Sequence, residues 1–481
     1  MNNYDFIDDF TLFFKKTPNQ DQKNVVDFFF HFIKPDTKEK IFVVNGYAGT
    51  GKTSLIAALV NMVENYGLKC LLMAPTGRAA KVLSKYAHHT AFTIHKIIFR
   101  QSSIDINSSV SIGFNKMKDM LFVVDEASMI NNIPGENTMT EGVLDSLIHF
   151  TFQSDNRCKL LIVGDNAQLP PVGQADSPAL LSNTYKRLGF DIIEASLKNV
   201  VRQEKMSGIL FNATKIRNVI ENQLFAELPK ISVNQFADVK IVPGNELIDV
   251  LSDCYDKDGR EETMVVCRSN KTANIYNNGI RNRILWREEE LESDELVMVA
   301  KNNYFWTEQL NSQLPVNEQE NRMDFIANGD IAVVERVRNS RKLFGFKFAD
   351  CTLRFPDYND AEMDATILLD TLQAEAPALT QQQQETLFNN VMEDYLDISI
   401  KRDRINKIKQ DPYYNALQIK YAYAVTCHKA QGGQWKNIFV EQGFIPDDID
   451  VKEYCRWLYT AITRATQTLY LVNWKQNQIQ E

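Results

Sequence analysis

A glycine-rich segment at residues 46–53 follows an apolar run at residues 41–45 and precedes a helix-length segment at residues 54–66. It matches G-x-x-x-x-G-K-[ST], in which glycines let successive backbone N–H groups converge on phosphate oxygens. In this pattern Lys52 reaches the β- and γ-phosphates, and the Thr53 hydroxyl binds Mg²⁺ at a helix N-terminus whose dipole favours the anion. We therefore predict a site for ATP and Mg²⁺. The positions predicted to hold the nucleotide are Gly46, Ala48, Gly49, Thr50, Gly51, Lys52, Thr53 and Ser54.

Two acidic residues, Asp125 and Glu126, follow directly on an apolar run at residues 122–124. An acidic pair after a strand is usually a helix cap, but beside a phosphate loop it has the composition of a hydrolytic site. Asp125 is predicted to hold Mg²⁺ through water, and Glu126 to polarise the attacking water as general base. Because an acid next to the metal ligand is placed to activate water, hydrolysis is favoured over phosphoryl transfer to another substrate.

Short aliphatic runs with helix-length segments between them predict an α/β fold with buried parallel strands. In the first part of the chain these runs are residues 41–45, 68–74, 121–125 and 160–164, which predict a doubly wound domain over residues 1–195. A second α/β domain is predicted over residues 196–290 and 412–481. Its predicted strands are residues 263–267, 422–426, 438–440 and 468–472, and its predicted helices are residues 205–220 and 271–286.

The two parts of the second domain are separated by a segment of different character, residues 291–411. Residues 295–300, 331–338 and 343–348 alternate between apolar and polar side chains, and residues 328–330 (Asn-Gly-Asp) are typical of a turn. We therefore predict a small β-rich insertion, which ends in a polar helical stretch at residues 381–409. A shorter polar and β-prone segment, residues 99–118, is predicted to form a hairpin insertion in the first domain.

Composition and charge narrow the class of protein further. The chain has 481 residues, 44% of them hydrophobic, which is enough for roughly two to four domains. Seven scattered cysteines without a C-x-x-C pair favour neither a zinc site nor disulfides. A net charge of −9 argues against a protein that coats nucleic acid, although a local basic channel is compatible with it. Without a signal-like N-terminus or an apolar run of about 18 residues, we expect a cytoplasmic monomer with no membrane partner.

Six more segments occur in a fixed order: residues 74–80, 93–95, 164–172, 197–203, 425–435 and 459–465. With the phosphate loop and the acidic pair, this succession resembles the superfamily 1B DNA helicases, and in detail their RecD/Dda-like branch, which moves 5′ to 3′ on single-stranded DNA. The resemblance covers nearly the whole chain. It implies two RecA-like P-loop domains with parallel sheets flanked by helices. It also implies that the hairpin is a pin that splits the duplex and that the insertion in the second domain is an SH3-like β-barrel.

The resemblance assigns further roles on the nucleotide side. Gln22 resembles the family's adenine-reading glutamine, with Gln20 as the competing candidate. Gln168 is implied to contact the γ-phosphate. Arg202 and Arg464 are implied to stabilise charge on the transferred phosphoryl group across the interdomain cleft. The predicted catalytic set is Lys52, Glu126, Gln168, Arg202 and Arg464.

The same resemblance implies that both domains contact the junction between single and double strands. Gly432, within residues 425–435, is implied to face the nucleotide. Gln434 departs from the family, because many relatives have a glutamate there that helps bind the ribose or order the loop, so coupling or sugar selectivity is in doubt. Phe114 or Ile112 is the candidate tip of the pin. The predicted nucleic-acid contacts are Pro75, Thr76, Arg78, His95, Thr426 and His428.

Other functions stay open at this point. A transport or signalling NTPase would share the phosphate loop and acidic pair but not the later segments, and an inactive nucleic-acid-binding module is disfavoured because every hydrolytic position is present. Nearer rivals are a protein-stripping translocase without robust unwinding, or a single-strand-stimulated ATPase subunit of a recombination complex. Repair or recombination partners are compatible with the motifs, which do not decide between DNA and RNA.

Overall fold

The computed structural model of the chain describes residues 3–100, 111–134, 141–153, 157–200, 207–313, 326–358 and 360–480. In the first domain, six parallel strands form one sheet, in the order Ala91–Thr93, Lys69–Ala74, Met120–Val124, Lys159–Gly164, Ile41–Gly46 and Ile192–Leu197. Its helices are Asn3–Phe14, Gln20–Phe32, Lys52–Val63, Gly77–Ala87, Ile94–Ile98, Val143–Phe152 and Ser182–Arg187.

Both faces of this sheet are covered, which explains the continuous apolar runs in the sequence. On the strand Ile41–Gly46, Phe42 and Val44 pack into one apolar cluster, whereas Ile41 and Val43 pack into another on the opposite face. All four side chains are at most 1% exposed. A strand buried on both sides has no polar face, so apolar residues follow one another without alternation.

The second domain has a parallel five-stranded sheet of its own, which confirms the predicted two-domain α/β architecture. The strand order is Val239–Val242, Ala465–Val472, Trp435–Glu441, Thr263–Cys267 and Ala424–Thr426. Its helices are Gly208–Glu221, Leu247–Asp258, Asn270–Arg283, Cys427–Ala430 and Val451–Ile462, and a short parallel pair joins Ile231–Ser232 to Ile479–Gln480.

The insertion in the second domain is a closed five-stranded barrel, as predicted. Its strands are Glu295–Val299, Ile331–Leu343, Phe346–Phe355, Ala361–Leu368 and Leu417–Tyr421, and the helices beside it are Phe305–Gln313, Gln381–Glu393 and Lys401–Lys409. The closing strand lies beyond residue 411, where we placed the boundary from the sequence. Only Ala422 and Tyr423 separate it from the sheet strand Ala424–Thr426, so the two strands look like one apolar run in the sequence.

Two smaller features complete the first domain. The hairpin insertion begins and ends in an antiparallel pair, Phe99–Arg100 with Ser111–Ile112, and residues 101–110 lie outside the described part of the chain. The edge strand Ile192–Leu197 pairs with Ile41–Gly46, so the first sheet extends two residues past the predicted boundary at residue 195. Within the described ranges, no helix combines the length and apolar character needed to cross a membrane.

Candidate nucleotide and nucleic-acid sites

The phosphate loop connects the end of the strand Ile41–Gly46 to the start of the helix Lys52–Val63. Gly49 and Gly51 have φ angles of 78° and 83°, in the left-handed region that favours glycine. At Gly46, an added Cβ would lie 2.7 Å from Cγ of Lys52. The glycines therefore permit both the turn and the close approach of the lysine stem to the backbone.

Lys52 is held inside the loop by one carbonyl and one carboxylate. Its Nζ donates to the Tyr47 carbonyl at 3.0 Å and lies 3.8 Å from Oδ2 of Asp165. Asp165 is fully buried, and burial raises the pKa of its carboxyl group, while the Lys52 ammonium opposes that rise. The ammonium is thus positioned at the loop by groups that phosphate oxygens can replace.

The acidic pair lies beside the start of the same helix and fits a Mg²⁺ ion. The Thr53 hydroxyl is 3.4 Å from Oδ2 of Asp125, and both are oxygen donors of the kind this ion prefers. Burial, followed by the neighbouring Glu126 charge, raises the pKa of Asp125 to about 7. Glu126 has a φ of 52°, and its Oε2 is buried without a hydrogen-bond partner among the described residues. It is therefore an acceptor available to a water molecule.

Gln22, rather than Gln20, contacts the phosphate loop. Gln22 is fully buried, and its Nε2 donates to the Thr50 carbonyl at 3.1 Å. A capping box with Asn19 fixes the position of its side chain at the start of the helix Gln20–Phe32. Gln20 instead donates to Asn24 on the exposed side of that helix.

The second domain reaches the phosphate loop through the helix Val451–Ile462. The Tyr459 hydroxyl accepts a hydrogen bond from the Ala48 N–H at 2.8 Å and donates to Oδ2 of Asp165 at 2.7 Å. Next to it, the Thr460 hydroxyl accepts from the Leu169 N–H at 2.8 Å. The predicted nucleotide site therefore lies at the junction of the two domains.

The segment that contains Gln168, residues 164–172, contacts the second domain at a further point. Gln431 donates from Nε2 to the Leu169 carbonyl at 2.8 Å. Gln168 is 2% exposed, and its Oε1 accepts no hydrogen bond from a described residue, so it is free to accept one from a ligand. Residues 425–435 and residues 164–172 are therefore in direct contact.

Two arginines, Arg202 and Arg464, were predicted to stabilise charge on the transferred phosphoryl group, and the structure describes only Arg464. Arg464 is 4% exposed, and its guanidinium donates to the carbonyls of Thr460 at 3.0 Å and Gly433 at 3.2 Å, both in its own domain. Arg202 lies outside the described residues. The arginine that the second domain does place against the loop is Arg217, whose guanidinium carbon is 4.7 Å from the centroid of the Tyr47 ring.

The predicted nucleic-acid residues lie where parallel strands of the two sheets end. Thr76 caps the helix Gly77–Ala87 by accepting from the Ala79 N–H at 3.2 Å. Burial lowers the pKa of both His95 and His428, which favours the neutral form of each ring, a form that can hydrogen-bond without carrying charge. All six residues of this set are half-buried: Pro75, Thr76, Arg78, His95, Thr426 and His428.

The structure shows what surrounds two further residues of the predicted sites, Gly432 and Arg78. Gly432, expected at the nucleotide, lies beside the nucleic-acid segment, because an added Cβ would be 3.4 Å from the Thr76 hydroxyl. Arg78, expected to contact the strand, has its guanidinium carbon 4.1 Å from the Trp435 ring centroid. Burial lowers the pKa of Arg78. Its role in strand binding stays a prediction.

Comparisons with known proteins agree with this arrangement. A family described as an AAA domain matches residues 31–174, and one described as a UvrD-like helicase C-terminal domain matches residues 421–472. The ATP-dependent DNA helicase dda of Enterobacteria phage T4 is 24% identical over 293 aligned residues, 58% of this chain and 60% of that protein. The ATP-dependent RecD2 DNA helicase of Deinococcus radiodurans is 31% identical over 134 residues, 28% of this chain and 16% of that protein. The chain is thus similar to helicases of the RecD/Dda-like branch of superfamily 1B.

Other similar proteins cover more of the chain. An uncharacterized protein of Methanocaldococcus jannaschii is 24% identical over 474 residues, 90% of this chain and 37% of that protein. The chain thus spans less than two thirds of the length of this relative, of dda and of RecD2. The crystal structure of the Pif1 helicase from Candida albicans has a TM-score of 0.49 with this chain at 14% identity, with 96% of each chain covered.

Sequence reasoning missed three residues at the predicted nucleotide site. Asp165 and Tyr459 lie inside the recognised segments, but their pairing depends on how the two domains pack. Arg217 lies in the helix Gly208–Glu221, outside every recognised segment. Its position on an amphipathic helix gave no signal, since a solvent-exposed arginine has the same sequence pattern.

Proposed function

We propose that this chain is an ATP-dependent DNA helicase that moves 5′ to 3′ along single-stranded DNA. The observation that carries the proposal is the contact between domains at the phosphate loop, where Tyr459 binds Ala48 and Asp165. Because nucleotide would bind where the domains meet, its arrival and departure change how they are held together. Hydrolysis can then be coupled to domain motion.

In this proposal the first domain holds the nucleotide and activates water. Gln22 reads adenine, Lys52 moves from Asp165 to the β- and γ-phosphates, and Glu126 accepts the proton of the attacking water. Thr53 and Asp125 hold Mg²⁺, which when bound offsets phosphate charge. The Oε1 atom of Gln168 has no hydrogen-bond partner among the described residues, so it is available to accept a hydrogen bond beside the γ-phosphate.

The second domain completes the site when the cleft closes. Arg464 now donates to the carbonyls of Gly433 and Thr460, so delivery of its guanidinium to a phosphate requires those bonds to break. We propose that closure provides this exchange, with Arg202 as the second finger. The exchange makes hydrolysis depend on closure, which is the property a motor needs.

Strand contacts in the two domains move relative to one another during this cycle. Thr76 and His95 hold the strand on the first domain, and Thr426 and His428 hold it on the second. Gly432 lies against Thr76, so the two sets of contacts are adjacent across the interface. Alternating grip between them would advance the strand, with hydroxyls, backbone N–H groups and neutral rings binding phosphate and sugar without reading sequence.

The hairpin between residues 99 and 118 is proposed as the pin that separates the duplex. Its base is fixed by the pairing of Phe99–Arg100 with Ser111–Ile112, and Phe114 beside it is 68% exposed. An exposed ring can stack on the last base pair. Ile112 is half-buried at the base, which favours Phe114 as the tip.

Unwinding assays test the proposal directly. Duplexes with a 5′ tail, a 3′ tail or no tail are incubated with ATP, and hydrolysis is measured with and without single strands. Preferential unwinding of the 5′-tailed duplex and strong stimulation by single-stranded DNA are expected. Preference for the 3′ tail contradicts the polarity, and stimulation without unwinding favours a protein-stripping translocase or a recombination-complex subunit. Equal stimulation by RNA contradicts the choice of DNA.

A further inference from the structure

The Tyr459 hydroxyl makes two hydrogen bonds, which connect the second domain to the phosphate loop and to the segment at residues 164–172. Tyr459 belongs to the second domain and is 1% exposed. Its hydroxyl accepts from the Ala48 N–H at 2.8 Å and donates to Oδ2 of Asp165 at 2.7 Å. A hydroxyl can donate and accept at once, so one oxygen atom binds both the phosphate loop and the segment at residues 164–172.

The balance of charge around Asp165 depends on whether the loop is occupied. Asp165 is fully buried, and its cation is Lys52 at 3.8 Å. Among the described residues, its carboxylate accepts hydrogen bonds from the Tyr459 hydroxyl and from the Ala167 N–H at 3.0 Å. When phosphate draws the ammonium away, a buried carboxylate loses its counterion, which is costly unless its surroundings rearrange.

Such a rearrangement is connected to the strand-binding side by short steps. Leu169, four residues after Asp165, is bound through its N–H to Thr460 and through its carbonyl to Gln431. Thr460 is the neighbour of Tyr459 on the helix Val451–Ile462. Gln431 follows Thr426 and His428 in one segment. A shift of Asp165 is therefore passed to the second domain at two points.

We propose that Tyr459 is a positioning residue through which the second domain responds to nucleotide in the phosphate loop, so that ATP binding changes the affinity for single-stranded DNA. Its hydroxyl holds Ala48 and Asp165 to the second domain. When phosphate binds and displaces Lys52, the two hydrogen bonds of the Tyr459 hydroxyl rearrange, and the contact between the domains changes. The inference rests on the proposed function, because it names the residue that couples the two sites.

The test is the coupling between ATP and single-stranded DNA in Tyr459→Phe, which removes one oxygen atom and keeps the ring. The Kd for a fluorescent single-stranded oligonucleotide is measured with and without a non-hydrolysable ATP analogue. In the wild-type chain we expect the two Kd values to differ by about fivefold or more, within the usual range of coupling between sites. In Tyr459→Phe we expect the ratio to fall below about twofold, whereas the nucleotide-free Kd changes little.

Tyr454→Phe is the matched control. Tyr454 lies on the same helix, is also 1% exposed, and its hydroxyl accepts from Gln442 within the second domain. It should keep the wild-type ratio. A wild-type ratio in Tyr459→Phe overturns the proposal, and so does loss of nucleotide-free DNA binding in that variant, which would indicate a purely structural role. If the wild-type chain itself binds no single strands, the proposed function fails instead.

Discussion

The guanidinium carbon of Arg78 lies 4.1 Å from the ring centroid of Trp435, and this contact joins the first domain to the second. Trp435 is 1% exposed and begins the strand Trp435–Glu441. An added Cβ at Gly433 would lie 2.5 Å from the same ring, so a glycine is needed there. The stacked pair therefore lies next to the segment proposed to hold the strand, at residues 425–435.

Replacing Arg78 with alanine should weaken this interdomain contact. We expect a loss of about 1–2 kcal/mol in the free energy of unfolding, because a partly desolvated cation–π pair and the packed arginine stem are removed. The measurement is denaturant unfolding followed by tryptophan fluorescence. Arg100→Ala, whose guanidinium donates to nearby carbonyls of its own domain, is the control. Unchanged stability with weakened strand binding would instead support Arg78 as a nucleic-acid contact.

Lys52→Ala should abolish hydrolysis and spare most strand affinity. The loop loses the ammonium that binds the phosphates, and kcat should fall by about a hundredfold or more, as for other losses of a preorganised charge. Steady-state ATP hydrolysis and single-strand Kd are the two measurements. Lys85→Ala, on the exposed side of the helix Gly77–Ala87, should match the wild type. Turnover retained in Lys52→Ala would contradict the phosphate site.

Glu126→Gln should separate binding of ATP from its hydrolysis. The amide keeps the size of the side chain but cannot accept the proton of the attacking water, so kcat should fall by about 10²–10⁴-fold. The affinity for ATP, measured by fluorescence of a labelled nucleotide, should stay within about threefold. A large loss of affinity with unchanged kcat would assign Glu126 to nucleotide binding.

Phe114→Ala should impair unwinding more than hydrolysis. If the ring stacks on the last base pair, its loss should slow strand separation about fivefold or more, given stacking of about 1–3 kcal/mol per base. Single-strand-stimulated hydrolysis should remain. Tyr86→Ala removes another exposed ring of the first domain, 50% exposed, and is the control. Equal loss of both activities in Phe114→Ala would refute the pin.

Lys81, at the contact of the helix Gly77–Ala87 with the barrel, predicts a pH dependence of stability. Its Nζ lies 2.9 Å from the Tyr358 ring centroid, and burial lowers the pKa of its ammonium to about 7, against the charges of Asp357 and Asp330. Arg78 acts in the same direction as burial. Between pH 7 and about 10.4, the unfolded chain carries a proton that the folded chain has released, so rising pH stabilises the fold.

The matched variant for this pH dependence is Lys81→Met. Thermal unfolding of both chains between pH 7 and pH 9 should show the wild type gaining stability relative to Lys81→Met. Asp330, the other titrating group at this contact, has its pKa raised by burial to about 6 and so titrates below this range. A constant difference between the two chains would mean that Lys81 stays protonated when folded.

Much of the fold could be predicted because local sequence determines it. The strand predicted at residues 41–45 is Ile41–Gly46, and the strand predicted at residues 263–267 is Thr263–Cys267. Both are buried on two faces and so are apolar throughout. The phosphate loop was equally predictable, since glycines at fixed spacing permit only a few backbone paths.

The relationships between domains could not be predicted in the same way. Arg78 on Trp435 and Tyr459 on Asp165 join residues far apart in the chain, and nothing in either local sequence names its partner. The barrel boundary was misplaced for a different reason. The Ala422 N–H bonds to Leu296 in the barrel, whereas the Tyr423 carbonyl accepts from Val265 in the sheet. The chain changes sheets within one residue, without a turn residue to mark it.

That change of sheets has a consequence for how the barrel can be gained or lost. Excision of residues 291–411 would leave Leu417–Tyr421 without the strand to which Val297 and Val299 belong, so a row of N–H and C=O groups would face solvent. Such an orphaned edge invites pairing with other chains. A shorter relative without the barrel would need a different, polar connection ahead of Ala424, because the barrel includes the strand Leu417–Tyr421 as well as residues 291–411.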